Sequence, residues 1–257
     1  MAAIDKVRVI VVGDSGVGKT SLTHLIAHNE PLTSPGWTVG CSIEVKLHEY
    51  KEGTQQQKTF FIELWDIGGS ISHKNTRGVF YTPTHGVILV HDLTNRKSHE
   101  NLKQWLMEII NKDGKDIGKG GNDTDFDPEQ FLGATHIPIL VFGTKLDMVD
   151  EAQLSKLQRS SLVGSIAEQC GADEICLNCH DTRSLAAGTT DAVKLSRFFD
   201  KVIERKYFSK ESSFFSDKRK FVSPFTSPLN TPFNSPFATS SFASFASPPT
   251  NLDTVAE

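Results

Sequence analysis

The sequence has few cysteines, no long apolar run and no excess of positive charge, and each absence excludes a class of protein. Four cysteines in 257 residues are too few for a disulfide-stabilised secreted scaffold, which favours a reducing, intracellular setting. No apolar run approaches the roughly 18 residues that a transmembrane helix needs. The net charge of −4 provides no basic surface for nucleic acid. We therefore expect a soluble, cytoplasmic protein without a nucleic-acid partner.

The composition changes near residue 208 and divides the sequence into two regions. Residues 209–257 hold 6 of the 11 prolines and 8 of the 17 phenylalanines, set among Ser, Thr and Asn. The prolines forbid a helix or a central strand, and the phenylalanines follow neither a helical nor a strand period. We expect a folded domain over 1–208 and a disordered tail over 209–257. A short basic cluster in the tail, 218–220, supports at most transient membrane association.

Strand and helix patterns alternate before the tail. Strands are predicted at 7–12, 43–47, 59–66, 87–90, 139–142 and 174–178, and helices at 19–28, 98–111, 152–169 and 190–207. The second and third strands have the pattern of a hairpin with one solvated edge strand. The order predicts an α/β fold, a six-stranded mainly parallel sheet with helices on both faces and one antiparallel edge strand. Residues 113–136 are expected to form a long functional or mobile loop.

A phosphate-binding motif lies between the first strand and the first helix. Residues 13–20, Gly-Asp-Ser-Gly-Val-Gly-Lys-Thr, match G-x-x-x-x-G-K-[ST] at every position. Backbone N–H groups of such a loop and the helix N-terminus surround a phosphate. Lys19 can reach the β- and γ-phosphates, and the Thr20 hydroxyl can bind Mg²⁺. The predicted phosphate-site residues are Ser15, Gly16, Val17, Gly18, Lys19, Thr20 and Ser21.

A second motif distinguishes guanine from adenine. Asp147 ends the sequence Gly-Thr-Lys-Leu-Asp after the fifth strand. Its carboxylate can accept hydrogen bonds from guanine N1–H and the 2-amino group, whereas adenine lacks both donors and would leave the charge unpaired. The aliphatic part of Lys145 can lie against the base, with Leu146 between the two. The motif predicts GTP or GDP as the ligand.

Together with three further segments, these motifs resemble Ras-superfamily small GTPases of the Rab type, which have the P-loop small GTPase fold. The segments are Trp-Thr-Val-Gly at 37–40, Leu-Trp-Asp-Ile-Gly-Gly at 64–69 and Val-His-Asp-Leu-Thr-Asn at 90–95. The similarity covers residues 4 to about 208. A segment in the last helix, 195–203, and the Trp-Asp-Ile-Gly-Gly variant indicate a Rab-like branch.

The resemblance implies roles for residues outside the two motifs. The Thr38 hydroxyl would complete the Mg²⁺ shell, Asp66 would hold the ion through a water, and the Gly69 N–H would bind the γ-phosphate. Effector or regulatory proteins would dock through these two switches. Asn178 and Cys179 occupy the place of the last base-contacting loop, where the family usually has Ser-Ala-Lys.

The sequence also departs from the family pattern. Ser70 stands where most members have the glutamine that orients the attacking water, and serine is too short for that task. The departure predicts slow intrinsic GTP hydrolysis unless another residue or a partner supplies the group. Pro31 and Leu32 occupy the region where the family commonly has an aromatic residue that stacks on the guanine base. Trp37 lies closer to Thr38, and its alternative role is to pack on the sheet edge. No cysteine follows Cys179, so we expect no lipid anchor.

Two functions stay open on these residues. The first is a nucleotide-dependent switch in intracellular transport or small-GTPase signalling, which Thr38 and Asp66 favour. The second is a constitutively GTP-bound interaction module or homodimer with a structural nucleotide, which Ser70 favours. A P-loop kinase is a third, weaker alternative, because Asp147 selects against ATP and no lid or acceptor site is recognisable.

Overall fold

The computed structural model describes residues 5–112, 137–150 and 165–209. In this part of the chain, six strands form one sheet in the order β2-β3-β1-β4-β5-β6. The strands are β1 Lys6–Val12, β2 Cys41–Tyr50, β3 Lys58–Ile67, β4 Gly86–Asp92, β5 Ile139–Thr144 and β6 Asp173–Cys176. β2 pairs antiparallel with β3 at one edge, and the other neighbouring pairs are parallel. The predicted sheet is confirmed.

Burial explains the strand order. All seven residues of β4 are buried, as expected for a central parallel strand covered on both faces. In β2, burial alternates along the strand. His48 and Tyr50 are buried, whereas Ile43, Val45 and Leu47 are 47–59% exposed. β2 is therefore the half-solvated edge strand that its sequence predicts.

Helices cover both faces of the sheet. They are α1 Lys19–His28, α2 Arg96–Glu100, α3 Leu102–Lys112, α4 Ile166–Gln169 and α5 Thr190–Ile203. α1 and α5 contribute to the core on one face, and α3 and α4 to the core on the other. The Thr189 hydroxyl accepts the Ala192 N–H and caps α5. Its apolar stripe, Leu195, Phe198, Phe199, Val202 and Ile203, is buried.

The predicted helix over 98–111 is two segments. Asn101 lies between α2 and α3, with its N–H 2.9 Å from the Lys97 carbonyl oxygen. Its side-chain amide donates to the Asp14 carboxylate at 2.7 Å. The boundary between the two helices therefore coincides with the residue, Asn101, whose side chain contacts the phosphate loop. The change in backbone geometry is small, because Asn101 keeps right-handed helical angles.

The ends of the last strand and helix also differ from the prediction. β6 stops at Cys176, and the chain turns at Asn178, whose side-chain oxygen accepts the His180 N–H at 2.8 Å. After Ile203 the chain continues as a wider π-helical turn, Glu204–Phe208. This turn packs Phe208 against Tyr50, with ring centroids 5.4 Å apart.

Some sequence predictions fall outside the described residues. These are the long loop over 113–136, the larger part of the helix over 152–169, and the tail from 210 to 257. Among the helices that are described, none combines the length and apolar character needed to cross a bilayer.

Candidate nucleotide-binding site

The phosphate loop follows β1 directly and is shaped by close backbone approaches. A Cβ on Gly13 would lie 2.1 Å from the Val90 carbonyl oxygen, so only glycine fits there. Gly16 and Gly18 have left-handed φ angles of 77° and 93°, which glycine adopts at little cost. Ser15 and Gly16 are exposed, Val17 is buried beneath them, and Ser21 is half-buried in the first turn of α1.

The Lys19 side chain crosses the loop instead of extending into solvent. It is 6% exposed, and its ammonium donates to the carbonyl oxygens of Gly13 at 2.9 Å and Asp14 at 2.7 Å. Burial lowers the Lys19 pKa to about 8, although the Asp66 and Asp14 carboxylates oppose this shift. A bound phosphate would restore the charged form.

Three side-chain oxygens meet beside the first turn of α1. The Thr20 hydroxyl donates to Asp66 Oδ2 at 2.6 Å, the Thr38 hydroxyl donates to the same atom at 3.0 Å, and the two hydroxyl oxygens are 3.0 Å apart. The two hydroxyl oxygens have the separation of adjacent ligands of octahedral Mg²⁺, which lie about 2.1 Å from the ion and about 3 Å apart. Asp66 is fully buried, and its Oδ1 has no partner among the described residues. This oxygen set fits Mg²⁺.

The segment that contains Gly69 lies on the phosphate loop. A Cβ on Gly69 would be 2.5 Å from the Gly13 carbonyl oxygen and 2.6 Å from the Ser15 nitrogen. Gly68 donates its N–H to the Gly40 carbonyl oxygen at 2.9 Å. The Thr38 and Gly69 segments are thereby joined to each other beside the loop, as the resemblance implies for two switches that read one phosphate.

The residues predicted to read the base are positioned by the end of β5. Thr144 donates its hydroxyl to the carbonyl oxygens of Val17 at 2.5 Å and His91 at 3.0 Å, which fixes this loop against the phosphate loop. Lys145 has a left-handed φ of 59°, and its ammonium lies 2.6 Å from Asp92 Oδ2. Burial opposes ionisation of Asp92, but hydrogen bonds from Lys145 and Thr94 prevail and lower its pKa.

The other predicted base contacts lie beside this loop. The Leu146 N–H donates to the Leu177 carbonyl oxygen at 3.3 Å, which brings the loop of Asn178 and Cys179 next to that of Asp147. The Asp147 side chain is exposed and available to a ligand. The Cys179 thiol is 8% exposed within the core, and burial with the nearby Asp147 charge raises its pKa to about 12. A nucleotide contact of Cys179 is therefore restricted to its backbone.

The suggestion that Trp37 packs on the sheet edge is wrong. Its side chain is 88% exposed, and neighbouring Val39 is 80% exposed. Thr38 between them is half-buried and turns towards Asp66. The alternation follows extended backbone, in which successive side chains point to opposite sides.

The sequence did not reveal the residues in and around α3 that support the loop. The Asp14 carboxylate accepts from the Asn101 amide at 2.7 Å and from the Trp105 indole N–H at 2.8 Å. The Arg77 guanidinium stacks on the Trp105 ring at 3.8 Å and donates to the Ser70 carbonyl oxygen at 3.3 Å. Helical periodicity identifies Trp105 only as a core residue, so no local pattern indicates these contacts.

Comparisons with known proteins agree with this architecture. The family model described as Ras of Complex, Roc, domain of DAPkinase matches residues 8–118. The chain is 53% identical to Rab-like protein 3 of Xenopus tropicalis over 229 residues. This alignment covers 86% of this chain and 95% of that protein. With the same coverage, the chain is 51% and 50% identical to Rab-like protein 3 of Mus musculus and of Homo sapiens. The chain belongs to the Rab-like small GTPases of the Ras superfamily. The predicted resemblance is thus confirmed.

Within this Rab-like GTPase, the predicted site residues form two adjacent groups. The phosphate loop, Thr38, Asp66 and Gly69 surround one point at the carboxyl ends of β1 and β3. Lys145, Leu146, Asp147, Asn178 and Cys179 follow β5 and β6 and lie farther along the same edge of the sheet. This edge is where open α/β sheets bind their ligands.

Proposed function

We propose that this Rab-like GTPase is a switch that binds GTP or GDP with Mg²⁺. The observation that carries the proposal is the meeting of the Thr20, Thr38 and Asp66 oxygens next to Lys19 and the phosphate loop. A phosphate loop alone serves many nucleotide enzymes. A threonine from a separate segment, 18 residues after Thr20, makes the ion a link between the nucleotide and a segment that can change conformation.

Each residue has a distinct task in the proposed complex. The backbone N–H groups of 15–20 surround the phosphates, and Lys19 neutralises charge between the β- and γ-phosphates. Bound Mg²⁺ would neutralise the phosphate oxygens. Asp147 accepts from the guanine edge, and Lys145, fixed by Asp92, covers the base. The Gly69 N–H donates to the γ-phosphate, so loss of that phosphate removes a reason for 68–69 to lie on the loop.

Hydrolysis in this proposal is slow. The Ser70 hydroxyl is too short to reach an in-line water from its backbone position. That backbone is also restrained, because Arg77 donates to the Ser70 carbonyl oxygen while it is itself paired with Glu108. The GTP-bound state would then persist until a partner supplies the group that orients the attacking water. We place this switch in the cytoplasm, in intracellular transport or small-GTPase signalling.

A constitutively GTP-bound interaction module or homodimer is the second candidate. The exposed face of β2 favours it, because Ile43, Val45 and Leu47 present apolar side chains at a sheet edge. Trp37 and Val39 precede this face and are exposed as well. A contiguous apolar surface of this kind is typical of protein interfaces, and the nucleotide would then stabilise the fold without alternating.

The test begins with the nucleotide recovered from the purified full chain and with GTP affinity measured with and without Mg²⁺. Hydrogen exchange of the GDP- and GTP-loaded forms then compares residues 37–40 and 68–70. A switch predicts guanine nucleotide, Mg²⁺-dependent affinity and stronger protection of both segments with GTP. Identical protection in the two forms, together with a nucleotide-independent dimer in light scattering, would favour the interaction module. Absence of guanine nucleotide binding would reject both.

A further inference from the structure

Two histidines and a glutamate meet on the side of α1 that faces β2. His24 and His28 are four residues apart and share one helix face, with ring centroids 4.6 Å apart. Both rings approach the carboxylate of Glu44: His28 Nε2 is 2.8 Å from Oε2, and His24 Nδ1 is 3.9 Å from Oε1. One ligand atom from each residue lies within 4.8 Å of the others.

This donor set has the composition of a transition-metal site. Two imidazole nitrogens and one carboxylate oxygen are common Zn²⁺ ligands, with bond lengths of about 2.0–2.2 Å in a tetrahedral arrangement. Ligand atoms in such a tetrahedron are about 3.3 Å apart, and one ligand atom from each of the three side chains already lies within 4.8 Å of the others, so side-chain rotation can bring them to that spacing. Three protein ligands leave a fourth position for water.

The backbone beneath the three side chains is held in place. The Lys46 ammonium, on the same face of β2 as Glu44, donates to the Ile26 carbonyl oxygen of α1 at 2.9 Å. The helix and the strand are thus tied at the level of the cluster. His24 is half-buried and His28 is exposed, which gives an ion access from solvent.

We propose that His24, His28 and Glu44 form a binding site for a divalent transition metal, with Zn²⁺ as its typical ion. The site uses no residue of the proposed nucleotide site. α1 ends at His28, and β2 begins at Cys41; the bound ion therefore joins the two elements that flank residues 29–40. Because Thr38 lies in that segment, the ion restrains both of its ends and, as a consequence that rests on the proposed function, slows nucleotide release.

A second cluster, His91, His99 and Glu174, serves as the structural comparison. His91 is 3% exposed in β4, and its Nε2 already pairs with Glu174 at 3.2 Å. Its burial, with the ring packed against that of His99 at 4.8 Å between centroids, restricts the entry of an ion. Any experiment on the first cluster must therefore separate the two, and substitutions confined to α1 and β2 do so.

The experiment is a calorimetric titration of Zn²⁺ into the full chain, loaded with GDP, freed of unbound nucleotide and kept in excess Mg²⁺. The variants are His24→Gln, His28→Gln and Glu44→Gln, each of which keeps a polar side chain. His73→Gln is the matched control, because His73 is also exposed. Loss of an outer-shell partner alone weakens metal sites by about ten- to a hundredfold. Loss of any of these three ligands should therefore weaken Zn²⁺ binding by at least about tenfold, with His73→Gln unchanged.

A second measurement uses Co²⁺ in place of Zn²⁺, because its visible absorption bands report four-coordinate geometry. The bands should appear with wild-type protein and be lost in His28→Gln, and Zn²⁺ should slow the release of a fluorescent GDP analogue only in wild type and the control. If all three variants bind Zn²⁺ as tightly as wild type does, the ion belongs to the His91 cluster or to cysteines, and the proposal is overturned. Absence of stoichiometric binding would leave only the hydrogen-bond contact of His28 with Glu44 and overturn the proposal equally.

Discussion

The Arg77 guanidinium holds the Glu108 carboxylate through two hydrogen bonds, Nε to Oε1 at 2.7 Å and Nη2 to Oε2 at 2.6 Å. Both side chains are largely buried, at 7% and 13% exposure. Tyr81 donates a third hydrogen bond to Glu108 at 2.8 Å, and Arg77 reaches the Ser70 carbonyl oxygen. The pair therefore connects α3, on the body of the domain, to the segment that follows Gly69.

We expect Glu108→Ala to lower the free energy of unfolding by about 3 kcal/mol, because breaking a buried ion pair leaves an uncompensated charge. The control is Glu100→Ala, which removes the partner of Arg96 in an exposed pair and should cost no more than about 0.5 kcal/mol. Urea denaturation of both variants in the GDP-loaded form measures the difference. Equal losses in the two would show that the Arg77–Glu108 pair contributes no more than a surface contact.

Asp147→Ala should reduce the preference for GTP over ATP. Two hydrogen bonds to a carboxylate contribute about 1.5–3 kcal/mol each, so the ratio of the two dissociation constants should fall by at least about a hundredfold. Asp150→Ala is the matched control, because Asp150 is exposed a few residues farther along the same loop and should leave the ratio unchanged. Competition between the two nucleotides in a fluorescence assay gives the ratio directly. A preserved preference in Asp147→Ala would remove this residue from base recognition.

The sequence predicts those features that depend on local order. The phosphate loop is one contiguous motif, and the alternation along β2 identifies an edge strand, although its apolar residues Ile43, Val45 and Leu47 are the exposed ones. Asn101 shows the limit: its neighbours have helical propensity, and nothing in the local sequence indicates its contact with Asp14, 87 residues away. Arg77 and Glu108 are likewise separated in sequence and have no spacing that links them. Contacts of this kind follow from the assembled sheet, not from a local pattern.

Nucleotide affinity should decrease with rising pH through Lys19. Its pKa is lowered to about 8, so the free protein loses the ammonium above that pH, and binding of phosphate must restore it. Linkage then gives a fall in GTP affinity of roughly fourfold between about pH 7 and about pH 8.5. Titrations at several pH values measure it, with Lys19→Met as a weak-binding reference that lacks this group. An equal pH dependence in Lys19→Met would attribute the effect to other groups.

The domain should end with the π-helical turn, whose last residue is Phe208. A chain of residues 1–209 should keep the stability of the full chain, whereas a chain of residues 1–203 should lose about 2–3 kcal/mol. The shorter chain lacks the pairs of Tyr207 with Phe60 and of Phe208 with Tyr50, both at 5.4 Å between centroids, and each such pair contributes about 0.5–1.5 kcal/mol beyond burial. Thermal and urea unfolding compare the chains. A loss of stability on removing only residues 210–257 would show that the domain extends farther.

Ser70→Gln should raise the rate of GTP hydrolysis without changing GTP affinity. Lys19, Thr20, Thr38 and Asp66 bind the ground state in the proposed site, and the missing contribution is alignment of the water, which is largely positioning. Wild type should therefore turn over at or below roughly 10⁻⁴ s⁻¹, the intrinsic scale of Ras, and Ser70→Ala should match it. The Arg77 hydrogen bond to the Ser70 carbonyl oxygen fixes the backbone position from which the new glutamine side chain extends, so its reach depends on that backbone.

Single-turnover hydrolysis of GTP by preloaded protein measures the rates of wild type, Ser70→Ala and Ser70→Gln. A faster wild-type rate that Ser70→Ala leaves unchanged would mean that another residue positions the water, and the slow-switch proposal would then be wrong.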